Sequence, residues 1–310
     1  MKQPIRAAVI GAGYLGRFHA LKYASMPDVK LVAVADVDAE RAEAVARETN
    51  TRPVLDYHDL LGEVDCASLA VPTPLHAPIA ETLLSAGVDV LVEKPFTETA
   101  AEGRRLVQQA QRSGRILQVG HLERFNPALQ TVRAILTEPR FVECHRLGTF
   151  VERGTDVDVV LDLMIHDLDV LLSLVPGEVA EIESVGVPVL TPHIDIAHAR
   201  LRFTNGCIAN LTASRVALKR ERKLRLFQAD TYVSLDYGER HIRIVRRAMK
   251  DNTPRIEVEE IALGDADPLY AEIDHFLHCV RTRQRPLVDG ATALRALEVA
   301  ERIRAEMLTA

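Results

Sequence analysis

The feature that most constrains the fold is a glycine-rich turn close to the N-terminus. The apolar run Ile5–Ile10 leads directly into Gly11-Ala12-Gly13-Tyr14-Leu15-Gly16, and a helical pattern follows over roughly Tyr14–Ala24. In such a turn the first glycine permits a tight bend, the second allows a ligand to approach the backbone, and the third allows close packing of helix on strand. Because the first N–H groups of a helix attract anions, the turn predicts a phosphate-binding strand–turn–helix unit.

A carboxylate follows at the position that makes this prediction more specific. The second strand-like run, Leu31–Ala35, ends at Asp36, twenty residues after Gly16. A carboxylate there accepts hydrogen bonds from both ribose hydroxyls of a dinucleotide and repels a 2′-phosphate. The sequence therefore predicts an NAD site and favours NAD over NADP. Arg41 could in principle meet a phosphate, but a helix-surface arginine is the simpler interpretation.

The first 120 residues alternate short apolar strands with helices, which is typical of a doubly wound parallel α/β sheet. Further predicted strands are Ala67–Val71, Val88–Val92 and Ile116–Val119; further predicted helices are Ala39–Glu48, Ala77–Ala86 and Ala100–Ser113. Ligands bind at the carboxyl ends of such strands. We therefore predict cofactor contacts from Pro72, Thr73 and His76 after one strand, and from Glu93 and Lys94 after the next. For His76 the alternative is an ordinary helix N-terminal residue.

The pattern changes after residue 120. A helix and a strand are followed by successive antiparallel strands from Val179 to Ile261, with Asn205-Gly206 as a hairpin turn. Two helices, Pro268–Arg281 and about Ala291–Leu308, end the chain. We predict two domains: a Rossmann domain over 1–120, and an α+β domain with a mostly antiparallel sheet over 121–310.

Composition excludes several classes of protein. Of the 310 residues, 47% are hydrophobic and 26% are charged, which permits a sizeable core, and the net charge of −6 argues against general nucleic-acid binding. No apolar run approaches the ~18 residues of a membrane span. The four cysteines are widely spaced, as expected of reduced thiols in a cytoplasmic protein; they are Cys66, Cys144, Cys207 and Cys279.

The second domain carries one segment that could do chemistry. In a helix over Val159–Leu174, Asp162, His166 and Asp169 share one face at spacings of four and seven residues, whereas Asp167 points elsewhere. A surface pair at i and i+4 is the simple alternative. The surrounding residues are apolar, however, and polar groups in a buried helix are rarely there without partners. We predict no metal at this segment, since oxidation by a nicotinamide needs none.

These motifs resemble the Gfo/Idh/MocA oxidoreductases over essentially the whole chain. The resemblance rests on the glycine-rich turn, Asp36, Glu93-Lys94-Pro95 and Asp162-x-x-x-His166. It implies a dehydrogenase acting on CH–OH groups, with Lys94, Asp162 and His166 as the catalytic residues. It also implies a Rossmann domain over 1–120 followed by a substrate-binding domain over 121–310, with a large, open, mostly antiparallel sheet that relatives use for oligomerisation, and hence a homodimer or homotetramer. Met164 departs from the family, in which many members have glycine before the histidine.

Two segments, Gly120–Pro127 and Asp158–Asp167, resemble more particularly the UDP-N-acetylglucosamine 3-dehydrogenase subgroup, which implies a nucleotide-sugar substrate. The candidate substrate-binding residues are Arg124, Asn126, Arg153, Asp169 and Arg215. The basic segment Arg215–Arg225 could hold a diphosphate, although a charge run is usually a solvated face. The alternatives are a dehydrogenase of a free polyol or sugar, and a non-catalytic NAD-binding sensor.

Overall fold

A computed structural model describes residues 3–151, 157–250 and 253–309, which form two compact units. Unit 1 comprises residues 1–125 and 267–294, and unit 2 comprises residues 126–266 and 295–310. The predicted boundary at 120/121 falls close to the first division. Chain order did not indicate that residues 267–294 belong with the N-terminal unit. In the described ranges, no helix has both the length and the apolar composition needed to cross a bilayer.

Unit 1 is built on a parallel sheet of β-branched and small apolar residues. Its strands are β1 (Ile5–Ile10), β2 (Val29–Ala35), β3 (Arg52–Val54), β4 (Cys66–Leu69), β5 (Asp89–Glu93) and β6 (Leu117–Gly120), and its strand order is β3-β2-β1-β4-β5-β6. Strands β2 and β3 are added on one side of β1 and strands β4 to β6 on the other, so the order reverses between β1 and β4, whose ends lie side by side. This is the arrangement in which doubly wound sheets bind their ligands.

Helices connect these strands. They are α1 (Tyr14–Ser25), α2 (Ala39–Glu48), α3 (His76–Ser85) and α4 (Ala100–Ser113). Thr99 and Glu102 form a capping box at the start of α4, and Gly114 ends that helix in the left-handed conformation. The later helix α7 (Pro268–Thr282) buries Ile273, Phe276 and Leu277 in the core that contains β1 and α1, which explains why it belongs to unit 1.

Unit 2 contains a sheet of eight strands in the order β14-β13-β12-β11-β7-β10-β9-β8. The strands are β7 (Phe141–Leu147), β8 (Val179–Val187), β9 (Ile196–Phe203), β10 (Ile208–Ser214), β11 (Glu221–Gln228), β12 (Thr231–Asp236), β13 (His241–Lys250) and β14 (Thr253–Ala262). Neighbouring strands are antiparallel except for β7 and β10, which pair in parallel. Along β9 and β10 buried residues alternate with more exposed ones, as predicted for a sheet with one covered face.

The helical elements of unit 2 are α5 (Pro127–Ile135), a π-helical turn (Val160–Met164) that continues into α6 (Ile165–Leu174), and most of α8 (Gly290–Thr309). The π-helical turn differs from the regular α-helix that the sequence predicted, and π-helical turns are frequent at functional sites. Together the two units confirm the predicted fold class, a Rossmann sheet plus an α+β region with a mostly antiparallel sheet.

Candidate active site

The glycine-rich turn joins β1 to α1 as predicted, and its glycines are required for different reasons. Gly11 has a φ of +96°, and a Cβ there would lie 2.3 Å from the carbonyl oxygen of Ala70. A Cβ at Gly16 would lie 1.7 Å from the carbonyl oxygen of Gly11. Nothing lies within 4 Å of a Cβ at Gly13, which precedes the first turn of α1. Gly13 therefore leaves open backbone at a helix N-terminus, and a pyrophosphate fits that space.

Asp36 is held beside this turn. One carboxylate oxygen accepts a hydrogen bond from the backbone N–H of Ala12 at 2.7 Å, and the other accepts from Asp38 N–H at 2.9 Å. The side chain of Arg41 is 64% exposed and pairs with Asp38 at 3.1 Å, so it is a helix-surface arginine. The turn and Asp36 thus fit an adenosine ribose and a pyrophosphate together.

The polar residues after β4 lead into α3. Pro72 and Thr73 lie at the start of a 3-10 turn, Thr73–Leu75, and α3 begins at His76. The His76 ring is buried, with Nδ1 2.9 Å from the carbonyl oxygen of Pro95 and Nε2 2.9 Å from that of Val71. Burial lowers the pKa of His76, despite the opposing effect of these carbonyls. His76 therefore contacts the backbone after β4 and the backbone after β5.

Glu93 and Lys94 follow at the end of β5. The buried carboxylate of Glu93 lies 2.9 Å from Nε2 of His19, which is fully buried in α1. Burial alone would raise the pKa of the Glu93 carboxyl, but the hydrogen bond and charge of His19, together with the charge of Lys94, hold it below its usual value. The Lys94–Pro95 peptide bond is cis.

Sequence reasoning missed His19. Its signal is the pattern of the buried residues of α1, in which His19 lies three residues after Gly16 and four before Tyr23, on the buried face of the helix. A histidine on the apolar face of a helix that starts at a nucleotide-binding turn needs a buried polar partner. The sequence did not show that the partner would be Glu93, because the pairing depends on the positions of α1 and β5 in the fold.

In unit 2, Asp162 and His166 are half-buried and lie on either side of the change from π-helix to α-helix. Asp158 begins this segment, where one carboxylate oxygen accepts hydrogen bonds from the N–H groups of Val160 and Leu161 at 3.0 and 3.1 Å. The anchored start fixes the path of the backbone that carries both predicted catalytic residues.

The neighbouring acid, Asp167, has a different role. Its carboxylate receives two hydrogen bonds from Arg146 of β7, at 3.0 and 2.9 Å, and both side chains are buried. This bidentate ion pair ties α6 to the sheet. It also explains why Asp167 points away from the face of Asp162 and His166, as the sequence predicted.

The predicted substrate-binding residues differ in burial and in their hydrogen-bond partners. Asp169 is buried in α6, Asn126 caps α5 by accepting from Ala128 N–H at 3.0 Å, and Arg124 is buried in unit 1. Arg215 is 5% exposed and donates to the carbonyl oxygen of Val157 at 2.7 Å. Arg153 lies outside the described residues.

The basic segment Arg215–Arg225 does not form one continuous cationic surface. On β11, Lys223 lies 3.4 Å from Asp236, and Arg225 lies 3.5 Å from Glu143. Arg215, in contrast, is buried. Much of the segment is therefore a sheet surface with acidic neighbours, which is the simpler of the two interpretations that the sequence left open. Among the described residues, no group of three or more histidine, cysteine, aspartate or glutamate side chains could hold a metal ion.

The fold and the nucleotide-binding turn define a dinucleotide-binding protein of the doubly wound class. Residues 5–121 match a family model described as the GFO_IDH_MocA oxidoreductase family with an NAD-binding Rossmann fold, and residues 128–232 match the GFO/IDH/MocA C-terminal domain. The chain belongs to this family of oxidoreductases, and its similar relatives are named dehydrogenases or oxidoreductases. The resemblance predicted from the motifs is thereby confirmed.

Individual relatives agree with this. A UDP-N-acetylglucosamine 3-dehydrogenase of Acidithiobacillus ferrooxidans is 40% identical over 303 residues, covering 97% of this chain and 96% of that protein. The solved structure of UDP-N-acetylglucosamine 3-dehydrogenase GnnA from the same species superposes with a TM-score of 0.93 at 39% identity, over 100% of this chain and 99% of that one. A scyllo-inositol 2-dehydrogenase (NAD(+)) of Bacillus subtilis is 26% identical over 96% of this chain and 93% of that protein.

Proposed function

We propose that this chain is an NAD-dependent dehydrogenase that oxidises the C3 hydroxyl of UDP-N-acetylglucosamine to a ketone. The observation that carries the proposal is the 40% identity over 97% of the chain to a relative with that name. The named inositol dehydrogenase is more distant, at 26% identity. The presence of Lys94, Asp162 and His166 favours an enzyme over a sensor, since a sensor has no need of all three. The cytoplasmic location expected from the composition stays a prediction.

The proposed chemistry divides among three side chains. A bound nicotinamide supplies the acceptor for the hydride that leaves the substrate carbon. His166 removes the hydroxyl proton, Lys94 stabilises the negative charge that develops on that oxygen, and Asp162 orients His166. Lys94 and His166 could exchange these two roles, because each is a residue type that can hold or release a proton. The half-buried position of His166 suits a group that meets substrate on one side and protein on the other.

Cofactor preference gives a first prediction. Replacing Asp36 by Ser should lower kcat/KM for NAD about 10- to 100-fold, which corresponds to the ~1.5–3 kcal/mol of hydrogen bonds to a charged group. The NADP-to-NAD ratio of kcat/KM should rise, because the carboxylate that repels a 2′-phosphate is gone. The control is Asp38→Ser, two residues away in the same loop. Equal use of NAD and NADP by the wild type would contradict the proposal.

Recognition of a diphosphate gives a second prediction. Arg124→Gln and Arg153→Gln should each raise KM for UDP-N-acetylglucosamine by about 10- to 100-fold if the arginine contacts a phosphate. Turnover should change less, and KM for NAD should not change, because the reacting carbon and the NAD pyrophosphate lie elsewhere. Arg240→Gln, at an exposed turn, is the control. If neither variant raises KM, or if UDP does not compete with the substrate, the nucleotide-sugar proposal fails.

We also propose that the chain forms a homodimer or homotetramer through the face of the unit 2 sheet that carries His198, Arg200 and Arg202. That face is exposed and ordered by cross-strand contacts, such as His198 Nδ1 to Thr212 Oγ1 at 3.0 Å. Symmetric dimers and tetramers are the commonest soluble oligomers. Light scattering should give a mass of two or four chains; a species of 34.3 kDa, the mass of one chain, would contradict this.

A further inference from the structure

The four-residue segment Glu93–Phe96, which carries Lys94, is held by a buried histidine on each side. On one side the Nε2 atom of His19 lies 2.9 Å from Oε1 of Glu93. On the other side the Nδ1 atom of His76 lies 2.9 Å from the carbonyl oxygen of Pro95. Both rings are at most 1% exposed. The two histidines belong to different helices, α1 and α3, and reach the same short segment.

His19 lies in a line of buried polar groups. The pKa of Glu93 is below its usual value, so its carboxylate accepts and Nε2 of His19 donates. Nδ1 of His19 lies 3.0 Å from the Ser68 hydroxyl, which lies 2.8 Å from the hydroxyl of Tyr23. Burial raises the pKa of Tyr23 well above its usual value, so its hydroxyl stays protonated. A continuous line of buried polar contacts therefore runs from Tyr23 through Ser68 and His19 to Glu93.

Glu93 is also confined by its other neighbours. Its second oxygen lies 3.2 Å from the backbone N–H of Lys94. On β6, a Cβ at Gly120 would lie only 3.1 Å from the carboxylate atoms, so this position leaves no spare room. The carboxylate is thus fixed in place directly beside the residue that carries the amine.

His76 confines the segment from the other direction. Its second ring nitrogen, Nε2, lies 2.9 Å from the carbonyl oxygen of Val71, at the end of β4. The ring therefore lies between the backbone after β4 and the backbone after β5, and a neutral ring donates its single N–H to one of these two carbonyls. An apolar side chain would fill the same space without the cost of burying a polar ring, so packing alone does not require histidine at either position.

We propose that His19 and His76 are positioning residues that hold the segment Glu93–Phe96 from its two sides and so fix the direction of the Lys94 amine. Both rings are buried, so each acts through the segment rather than through a contact with substrate or cofactor; for His76 this role replaces the cofactor contact predicted from the sequence. The inference rests on the proposed function, which assigns to Lys94 the stabilisation of negative charge on the substrate oxygen. Misplacing a reacting group by ~1 Å can cost on the order of 10²-fold in rate, so anchoring of this kind matters for turnover.

Amide substitutions test this because they retain one ring contact at a time. The amide nitrogen of asparagine approximates the position of Nδ1, and that of glutamine approximates Nε2. The segment is contacted by Nε2 of His19 but by Nδ1 of His76. His19→Gln and His76→Asn therefore retain the contact with the segment, whereas His19→Asn and His76→Gln lose it. If the substitutions acted only by a general loss of packing, the less disruptive amide would not be glutamine at position 19 and asparagine at position 76.

Two measurements are made on all four variants and on the control His58→Gln, which replaces an exposed histidine of unit 1. Hydrogen exchange of the peptide spanning residues 91–99 should be faster in His19→Asn and His76→Gln than in their partner variants, because broken contacts permit local opening. In the same two variants kcat should fall about 10-fold or more below that of the partner variants. The control should match the wild type.

The proposal is overturned if the asparagine and glutamine variants show the same exchange rate at each position. It is also overturned if the same substitution gives the slower exchange at both positions. Exchange is measured without substrate, so it does not depend on the identity of the substrate. Suppose that the wild type does not oxidise UDP-N-acetylglucosamine, while exchange is still slower in His19→Gln and His76→Asn than in their partner variants. That result would contradict the proposed function and still support the anchoring of the segment.

Discussion

His166→Asn should lower kcat for UDP-N-acetylglucosamine oxidation by about 10²- to 10⁴-fold, the usual contribution of a general base. Asparagine retains one hydrogen-bonding nitrogen near the position of Nδ1, but it cannot take up a proton at neutral pH. Binding should be largely preserved, because the loss affects the transition state rather than the bound substrate. The measurement is initial-rate kinetics with NAD and substrate varied in turn.

The matched control for this prediction is His145→Asn, a partly exposed histidine on β7 of the same unit. It should keep wild-type turnover, and a melting curve should show that both variants are folded. Turnover within a few-fold of the wild type in His166→Asn would remove His166 from the proposed chemistry and leave Lys94 as the candidate base.

Arg146→Met should be strongly destabilising, lowering the free energy of unfolding by about 3–5 kcal/mol. The guanidinium makes two hydrogen bonds to Asp167, and both side chains are buried, so its removal leaves a carboxylate that neither water nor protein solvates. Because Asp167 directly follows His166, activity should fall along with stability. Denaturant unfolding monitored by circular dichroism measures the effect.

Two further variants separate the buried charge from the lost packing. Adding Asp167→Leu to Arg146→Met should recover much of the stability, because the uncompensated charge is removed. Arg295→Met breaks an exposed pair with Glu178, in which the side chains are 45% and 78% exposed, and should cost less than ~1 kcal/mol. A loss below ~1 kcal/mol in Arg146→Met would mean that the pair is not what fixes α6 to the sheet.

Local patterns predicted most of the elements. α2 and α4 begin and end where the sequence placed them, and the Asn205-Gly206 hairpin joins β9 to β10. These elements depend on caps, turns and apolar spacing, which are properties of neighbouring residues. The short strand β3, Arg52–Val54, was missed because three residues that include a proline do not form a strand pattern.

Long-range pairings could not be predicted in the same way. The apolar face of α7 was evident, but its burial against β1 and α1 depends on the tertiary fold. The contacts of His19 with Glu93 and of Arg146 with Asp167 also depend on the tertiary fold, because the two residues of each pair are 74 and 21 positions apart in the sequence. The burial of Arg215 was hidden for another reason, since a run of cations suggests an exposed face.

The most direct test of the proposed function is the reduction of NAD by the purified wild-type protein with UDP-N-acetylglucosamine and, in parallel, with myo-inositol and glucose. We expect NADH to form with the nucleotide sugar, UDP to inhibit competitively, and the product to be a ketone at C3. NADH formation with inositol or glucose and none with UDP-N-acetylglucosamine would contradict the proposed function and identify a dehydrogenase of a free polyol or sugar.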